Sequence, residues 1–234
     1  MNYVISLLAG AIAILFVLCP HEFAHAYVAY KNGDPTAKIY GRMSLNPLKH
    51  LDPFGFILFA LVGFGWAKPV PVNLNNFKNR RVGMFTTAIA GVCVNLIIAF
   101  LAYPLYLVVI RFLYPYCETS VLAEFFIKLL YCVLKYIYVY SLFSFVFNLL
   151  PLFPLDGFRV VESFTRQINP VRRFLANYGR LILIVLIALS YIIDILSGYL
   201  PILQYFDVFY YLGWFAQNII GYPITAAWGW ILTV

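Results

Sequence analysis

Apolar residues in this chain gather into long runs separated by short polar and basic stretches. The first run covers about residues 3–30. Residues 3–19 are almost wholly apolar, Pro20 interrupts, and HEFAHAYVAY continues in a helical pattern. Runs at about 82–110, 124–150 and 181–200 are also long enough to span a bilayer as helices. The run at 54–66 is apolar but short and holds Gly55, Gly63 and Gly65, a length that suits a re-entrant segment better than a crossing. Between the runs, Gly33-Asp34-Pro35 is a turn, and the alternation from Lys38 to Leu45 predicts a short β-hairpin. Ala67-Lys68-Pro69-Val70-Pro71-Val72-Asn73 cannot be helical and reads as extended chain. Residues 159–180 read as an interfacial helix and linker. The tail from Pro201 holds one more span near 206–220 or an interfacial hairpin. The fold class expected is all-α: a polytopic transmembrane helical bundle of about 4–6 spans, with a short β-hairpin and a re-entrant segment near the functional residues.

Composition agrees. The 234 residues are 64% hydrophobic and 11% charged, with a mean hydropathy of +0.88. A soluble domain carries about 25% charged residues. The net charge of +7 is better explained by the positive-inside bias of membrane proteins than by nucleic-acid binding, because no basic-aromatic stripe is present. Thirteen of the sixteen Lys and Arg fall in 31–53, 67–81 and 159–180. These stretches share one side only if 54–66 does not cross, and that side is then cytoplasmic. The start of the chain lacks a basic n-region and a small-residue cleavage site, so 3–19 is read as a membrane helix and not as a cleaved signal. Cys19, Cys93, Cys117 and Cys132 show no paired spacing and are expected to be buried free thiols.

The chemistry centres on His21-Glu22-Phe23-Ala24-His25. Two of the chain's three histidines stand four apart, on one face of a helix, so both imidazoles can reach one metal ion. Glu22 follows the first, where it can act as a base on water at the metal. A catalytic zinc site usually needs three protein ligands. Of the nine carboxylates, Asp156 stands out. It sits in NLLPLFPLDG just past the run ending near 150, where two prolines break the helix, and it shares a leaflet with the histidines. Broken backbone and ionisable side chains at such depth line functional cavities. His50 is the rival ligand, with ordering of an interfacial loop as its plainer role and a supporting place near the site as a further alternative. Asn95 reads as a helix-packing contact, with a role in the site as the alternative.

HEFAH and NLLPLFPLDG together resemble the site-2 protease family of intramembrane zinc metalloproteases, whose motifs are HExxH and N-x-x-P-x-x-x-L-D-G. GRMSLNPLKHLDPFG and GWAKPVPVNLNNFKNRR are similar to its compact bacterial members, and the resemblance covers roughly residues 1–165. The family's G-P-x-x-N reads here Gly91-Val92-Cys93-Val94-Asn95, without the proline. The resemblance implies a catalytic membrane core at 1–165, with an interfacial linker and further transmembrane segments at 166–234. It implies one Zn2+ per chain held by His21, His25 and Asp156, and Glu22 as the catalytic base. Asn148 is implied to support the substrate or the oxyanion, with a helix-end cap as the alternative. The implied activity is hydrolysis of a peptide bond within or near a transmembrane segment of a single-pass protein, in the cell membrane, with the site towards the cytoplasmic leaflet. The run at 69–72 can offer an extended edge to an unwound substrate, with a structural re-entrant loop as the plainer reading.

Overall fold

The computed structural model describes residues 2–62, 65–166 and 168–232. In chain order the helices are α1 (Asn2–Lys31), α2 (Thr36–Ile39), α3 (Pro53–Val62), α4 (Arg80–Val108), α5 (Val121–Asn148), α6 (Asp156–Phe164), α7 (Pro170–Ser197), α8 (Val208–Phe215) and α9 (Tyr222–Trp228). Among the described residues, α1, α4 with its helical extension to Tyr116, α5 and α7 are the four long and apolar enough to cross a membrane. A 28-residue helix such as α5 reaches about 42 Å, more than the roughly 30 Å of bilayer hydrocarbon.

α1, α4 and α5 pack pairwise into a three-helix core. The reason is visible in their spacing. Along α1, Ile5, Ala9, Ala13, Val17, His21, His25 and Ala29 recur every four residues, and none is more than 8% exposed. Along α4, Gly83, Thr87, Gly91, Asn95 and Ala99 do the same and are all buried. Ridges of small residues at i±4 let two helix backbones approach closely, and close approach is what holds helices together where lipid is as apolar as leucine. The histidines are therefore members of the packing ridge itself.

α7 starts earlier than the apolar pattern alone predicts. Asn169 caps it by accepting the Arg172 backbone N–H at 3.1 Å, and Pro170 occupies its first turn. Arg172, Arg173 and Arg180 thus lie on the helix and not in an interfacial linker, and α6 fills the space before it. The tail forms α8, a π-helical turn at Ala216–Ile220 and α9. These pieces are too short to cross, and they pack beside α4 and α5.

Two expectations are corrected. The β-hairpin at Lys38–Leu45 does not form. Its backbone is satisfied by helical and turn bonds instead, Ile39 N–H to Pro35 O, Tyr40 N–H to Thr36 O and Arg42 N–H to Ala37 O, with Gly41 at φ +65° closing the turn. The described residues contain no strand, only an isolated antiparallel bridge between Leu51 and Ala67. The re-entrant segment at 54–66 is not supported either. Its described residues form α3 against α1, and the Leu51–Ala67 bridge brings the two ends of the excursion together; residues 63 and 64 lie outside the described residues. Of the cysteines, all free, Cys19 and Cys117 are buried but Cys93 is exposed.

Asp34 ties the polar loops together. It is fully buried and accepts hydrogen bonds from Thr36 N–H at 3.1 Å, the Thr36 hydroxyl, Asn73 N–H at 2.7 Å and Asn76 Nδ2 at 2.8 Å. Burial opposes the charge, but these donors outweigh it and hold the carboxyl below its ordinary range. A carboxyl depressed in the folded state contributes stability above its unfolded pKa of about 3.9, and that contribution is lost as pH falls through the folded value. Acidification from about pH 4 downwards should therefore destabilise the wild type more than Asp34→Asn, as read from thermal unfolding in detergent. Equal acid sensitivity in the two would remove Asp34 from this role.

Candidate metal centre

α1 delivers His21 and His25 side by side, one turn apart. Pro20 lies inside the helix immediately before them. The third residue arrives from the other end of α5. That helix ends at Asn148, the chain turns through Pro151 and a cis Phe153–Pro154 peptide, and α6 begins at Asp156. Gly157 makes the turn possible. A Cβ there would lie 2.3 Å from Leu149 O and 2.4 Å from Leu150 O, so only glycine lets α6 fold back on the end of α5.

The ligand atoms converge. His21 Nε2 and His25 Nε2 are 3.0 Å apart, and Asp156 Oδ2 lies 3.2 Å from the first and 3.1 Å from the second. Ligands about 2.0–2.1 Å from a tetrahedral zinc stand roughly 3.3 Å from one another. These three are the group of His, Cys, Asp and Glu among the described residues that can hold a metal ion.

The surroundings favour a cation. His25 Nδ1–H donates to the Thr87 carbonyl at 2.7 Å, which fixes the tautomer and leaves a lone pair on Nε2. His21 Nδ1 faces the Asn95 amide at 3.1 Å, and Asn95 is fully buried. Asn95 Oδ1 and Asp156 Oδ2 are both buried with no hydrogen-bond donor on them. A half-turn of the amide sets Oδ1 against His21 Nδ1–H and Ser144 Oγ–H, satisfying the oxygen and freeing the His21 Nε2 lone pair. Two imidazole lone pairs and a carboxylate oxygen at about 3 Å repel one another unless a positive ion lies between them. The donor set and its orientation fit zinc.

Of the two readings that the sequence leaves open for Asn95, the contact with His21 favours a role beside the site. Its place in the Gly83–Thr87–Gly91–Asn95–Ala99 ridge was the signal that puts it against α1. Asn95→Leu should lower zinc affinity by about 10–100-fold, the usual cost of losing a partner that orients a metal-binding histidine. Chelator competition at matched thermal stability measures it, and unchanged affinity would return Asn95 to a packing role.

Glu22 lines the same cavity as the three ligand residues. Its Oε2 accepts the Val70 backbone N–H at 2.9 Å, so the extended Pro-Val run holds the carboxylate beside the metal group. Arg42 secures that run by donating to the carbonyl of Lys68 at 2.6 Å. His50 is not part of the site. It is buried, its Nε2–H donates to Ser44 O at 2.6 Å, and its own carbonyl accepts Lys68 N–H at 2.8 Å. Asn148 donates Nδ2 to Ser144 O and Oγ, both at 3.0 Å, as a helix-end cap does, while lining the same cavity as the metal group.

That cavity measures about 910 Å³. The metal ligands and Glu22 form one wall. Phe143 and Phe147 of α5 and Leu183 and Ile187 of α7 face them, and Trp66 and Val70 line its rim.

Comparisons with known proteins point the same way. The Bacillus subtilis protein named "Putative zinc metalloprotease YwhC" is 47% identical over 162 residues, covering 69% of this chain and 71% of its own length. A Mycolicibacterium smegmatis protein named "Putative zinc metalloprotease Rip2" is 28% identical over 182 residues, covering 74% of this chain and 64% of its own. Its Mycobacterium tuberculosis namesake is 27% identical over 203 residues, covering 85% and 70%. No protein-family profile and no solved structure matches the chain. With nearly half of the aligned residues shared across more than two thirds of the Bacillus subtilis relative, this protein belongs to the site-2 protease family of zinc metalloproteases.

Proposed function

We propose that the chain is a zinc-dependent intramembrane endopeptidase that hydrolyses a peptide bond within or near the transmembrane segment of a single-pass protein. The observation that carries this reading is the position of the His21–His25–Asp156 group. It opens into a largely apolar cavity enclosed by α5 and α7, two helices long enough to cross a membrane. A soluble peptidase has no reason to bury its site among such helices. The basic loops at 31–53 and 67–81 adjoin the metal-bearing end of α1, which supports a site near the cytoplasmic leaflet of the cell membrane.

His21, His25 and Asp156 are the residues that would hold zinc. Zinc bound there acidifies water and polarises a carbonyl. Glu22 takes the proton from the attacking water and returns it to the leaving amine, so the carboxylate is regenerated at the end of the cycle. The Val70 N–H holds one carboxylate oxygen and leaves the other to receive that proton. Asn148 sits at the cavity wall, where its amide can turn from Ser144 to a substrate carbonyl or the developing oxyanion. A helical substrate conceals its peptide bonds in i→i−4 hydrogen bonds and must unwind first. The run at 69–72 supports the unwound form as an extended edge, but the Val70 N–H is given to Glu22 and Pro69 and Pro71 have none, so pairing falls to the Val72 N–H and the Val70 and Pro71 carbonyls.

The test is incubation of the zinc-loaded protein in detergent with a designed single-pass substrate, and mapping of the cut by mass spectrometry. The reading predicts a cut inside or next to the apolar segment. Equal cleavage of an unfolded soluble protein would leave a general metallopeptidase, and no cleavage of either would overturn peptidase activity.

A further inference from the structure

The cavity contains two cations that nothing in the hydrolytic scheme uses. Arg159 lies on α6 three residues after Asp156, on the same helical face, and Arg180 lies on the first half of α7 across from it. The Arg180 guanidinium rests over the Phe153 ring, 5.4 Å from its centroid. Stacking on an aromatic face fixes the plane of the guanidinium while leaving its N–H edge free.

The carboxylates of the protein are committed elsewhere. Glu162 pairs with Arg172 and Glu124 with Lys128. Asp34 and Asp52 cap loops, and Asp207 accepts from Ser190 and Phe209. Glu118 lies in the turn before α5, at the far end of that helix from Asn148, and Asp194 stands about 21 Å beyond Arg180 along α7. Among the described residues only Glu22 and Asp156 bring carboxylates to the cavity, and a bound zinc ion would cancel their two charges. The loaded cavity would therefore keep two positive charges, the half-buried Arg159 and the exposed Arg180, and a matching anion between them is favoured.

We infer that Arg159 and Arg180 form an anion subsite that takes a carboxylate side chain of the substrate, an Asp or Glu close to the scissile bond. The inference rests on the peptidase reading for its occupant. Arg159 is one helical turn from Asp156, a rise of about 4.5 Å, and an extended peptide advances about 3.3 Å per residue. The acidic residue therefore falls within a few positions of the bond cut. A lipid phosphate shares the chemistry, but a headgroup there would lie in the cavity that holds the metal ligands and would compete with the substrate.

The test measures binding and cleavage separately. Fluorescently labelled transmembrane peptides carrying Glu, Gln or Lys at successive positions flanking the apolar segment are titrated with zinc-loaded Glu22→Gln protein in neutral detergent, and binding is read by anisotropy. At one position the Glu peptide should bind about tenfold tighter than the Gln peptide, the size of one charge-assisted contact. Adding Arg159→Gln and Arg180→Gln should bring the ratio close to one. Arg159→Glu with Arg180→Glu should reverse it in favour of the Lys peptide, a swap that a misfolded variant cannot produce. A Glu/Gln ratio of one in the Arg-intact protein, or a ratio indifferent to both pairs of substitutions, overturns the subsite. So does a ratio that vanishes when anionic phospholipid is added at micellar fractions that leave Gln-peptide binding unchanged, because the arginines would then be a lipid site. Acid-selective binding without cleavage by the zinc-loaded wild type would reject the peptidase and keep the subsite. Cleavage with no acid preference would do the reverse.

Discussion

Glu22→Gln should retain one zinc per chain and reduce hydrolysis of a single-pass substrate by at least about a thousandfold. General acid–base catalysis by a positioned carboxylate contributes typically 10²–10⁴-fold, and in the proposed scheme one group serves both proton transfers. Glutamine preserves the volume and can still take the Val70 N–H on its amide oxygen, so neither packing nor the 67–72 run need move. Glu22 is not among the three converging ligand atoms, so zinc should stay. Asp156→Ala provides the contrast. It removes one of those three atoms and should release zinc together with activity. Metal analysis and cleavage assays on the same preparations check both. Retained zinc in Asp156→Ala would move the third ligand elsewhere, and substantial turnover in Glu22→Gln would remove the base from the mechanism.

Gly91→Ala should be nearly as damaging although it removes nothing. A Cβ at this position would lie 2.5 Å from His25 Nε2, 2.6 Å from His21 Cε1 and 2.7 Å from His21 Nε2. A methyl group would enter the space between the ligands, and no rotamer escapes it because both rings are held from behind, by Thr87 and by Asn95. Either α1 and α4 separate or the imidazoles turn away, and both end the convergence of the ligand atoms. Zinc affinity should fall more than a hundredfold, beyond the usual effect of losing one orienting partner, with helix content by circular dichroism unchanged. Cys93→Ala, on the same helix but exposed, is the control and should bind zinc as the wild type does. A Gly91→Ala protein with normal zinc content would mean that α1 and α4 cross less closely than described.

Much of the site was legible because its chemistry is rare in such a chain. With three histidines and nine carboxylates in 234 residues, HEFAH and the proline-broken LDG loop had few competitors, and the structure brings His21, His25 and Asp156 within one hydrogen-bond length of one another. The spans were legible because an apolar run either is or is not long enough. The failures lie where local pattern competes with tertiary bonds. The alternation at 38–45 is real, but Arg42 is drawn inward by the Lys68 and Pro69 carbonyls, and Ala37 is buried with Val70 and Met43. A helical turn serves those contacts better than a two-stranded ribbon without a third strand to pack on. His50 looked like a possible ligand because histidine is scarce, yet it is consumed in holding the backbone of 44 and 68. For Asn95 the sequence leaves packing and a role in the site both open, because one polar residue in an apolar helix does not say what it faces; the four-residue ridge around it and the 3.1 Å approach to His21 do.

The ridge along α1 has a consequence for how this centre can be studied or lost. His21 and His25 are both candidate ligands and spacers in a seam otherwise built from Ile5, Ala9, Ala13, Val17 and Ala29. Shortening either imidazole empties part of the helix–helix contact as well as the coordination sphere, so an inactive His→Ala protein reports on two injuries that cannot be told apart. The carboxylates lie off the seam, so replacing them does not open the helix–helix contact. A descendant that abandoned hydrolysis could let Glu22 drift to any residue that still accepts the Val70 N–H, whereas positions 21 and 25 would have to be refilled with side chains of similar bulk. Erosion of this chemistry should therefore begin at the base, leaving a metal-holding relic whose helices still fit.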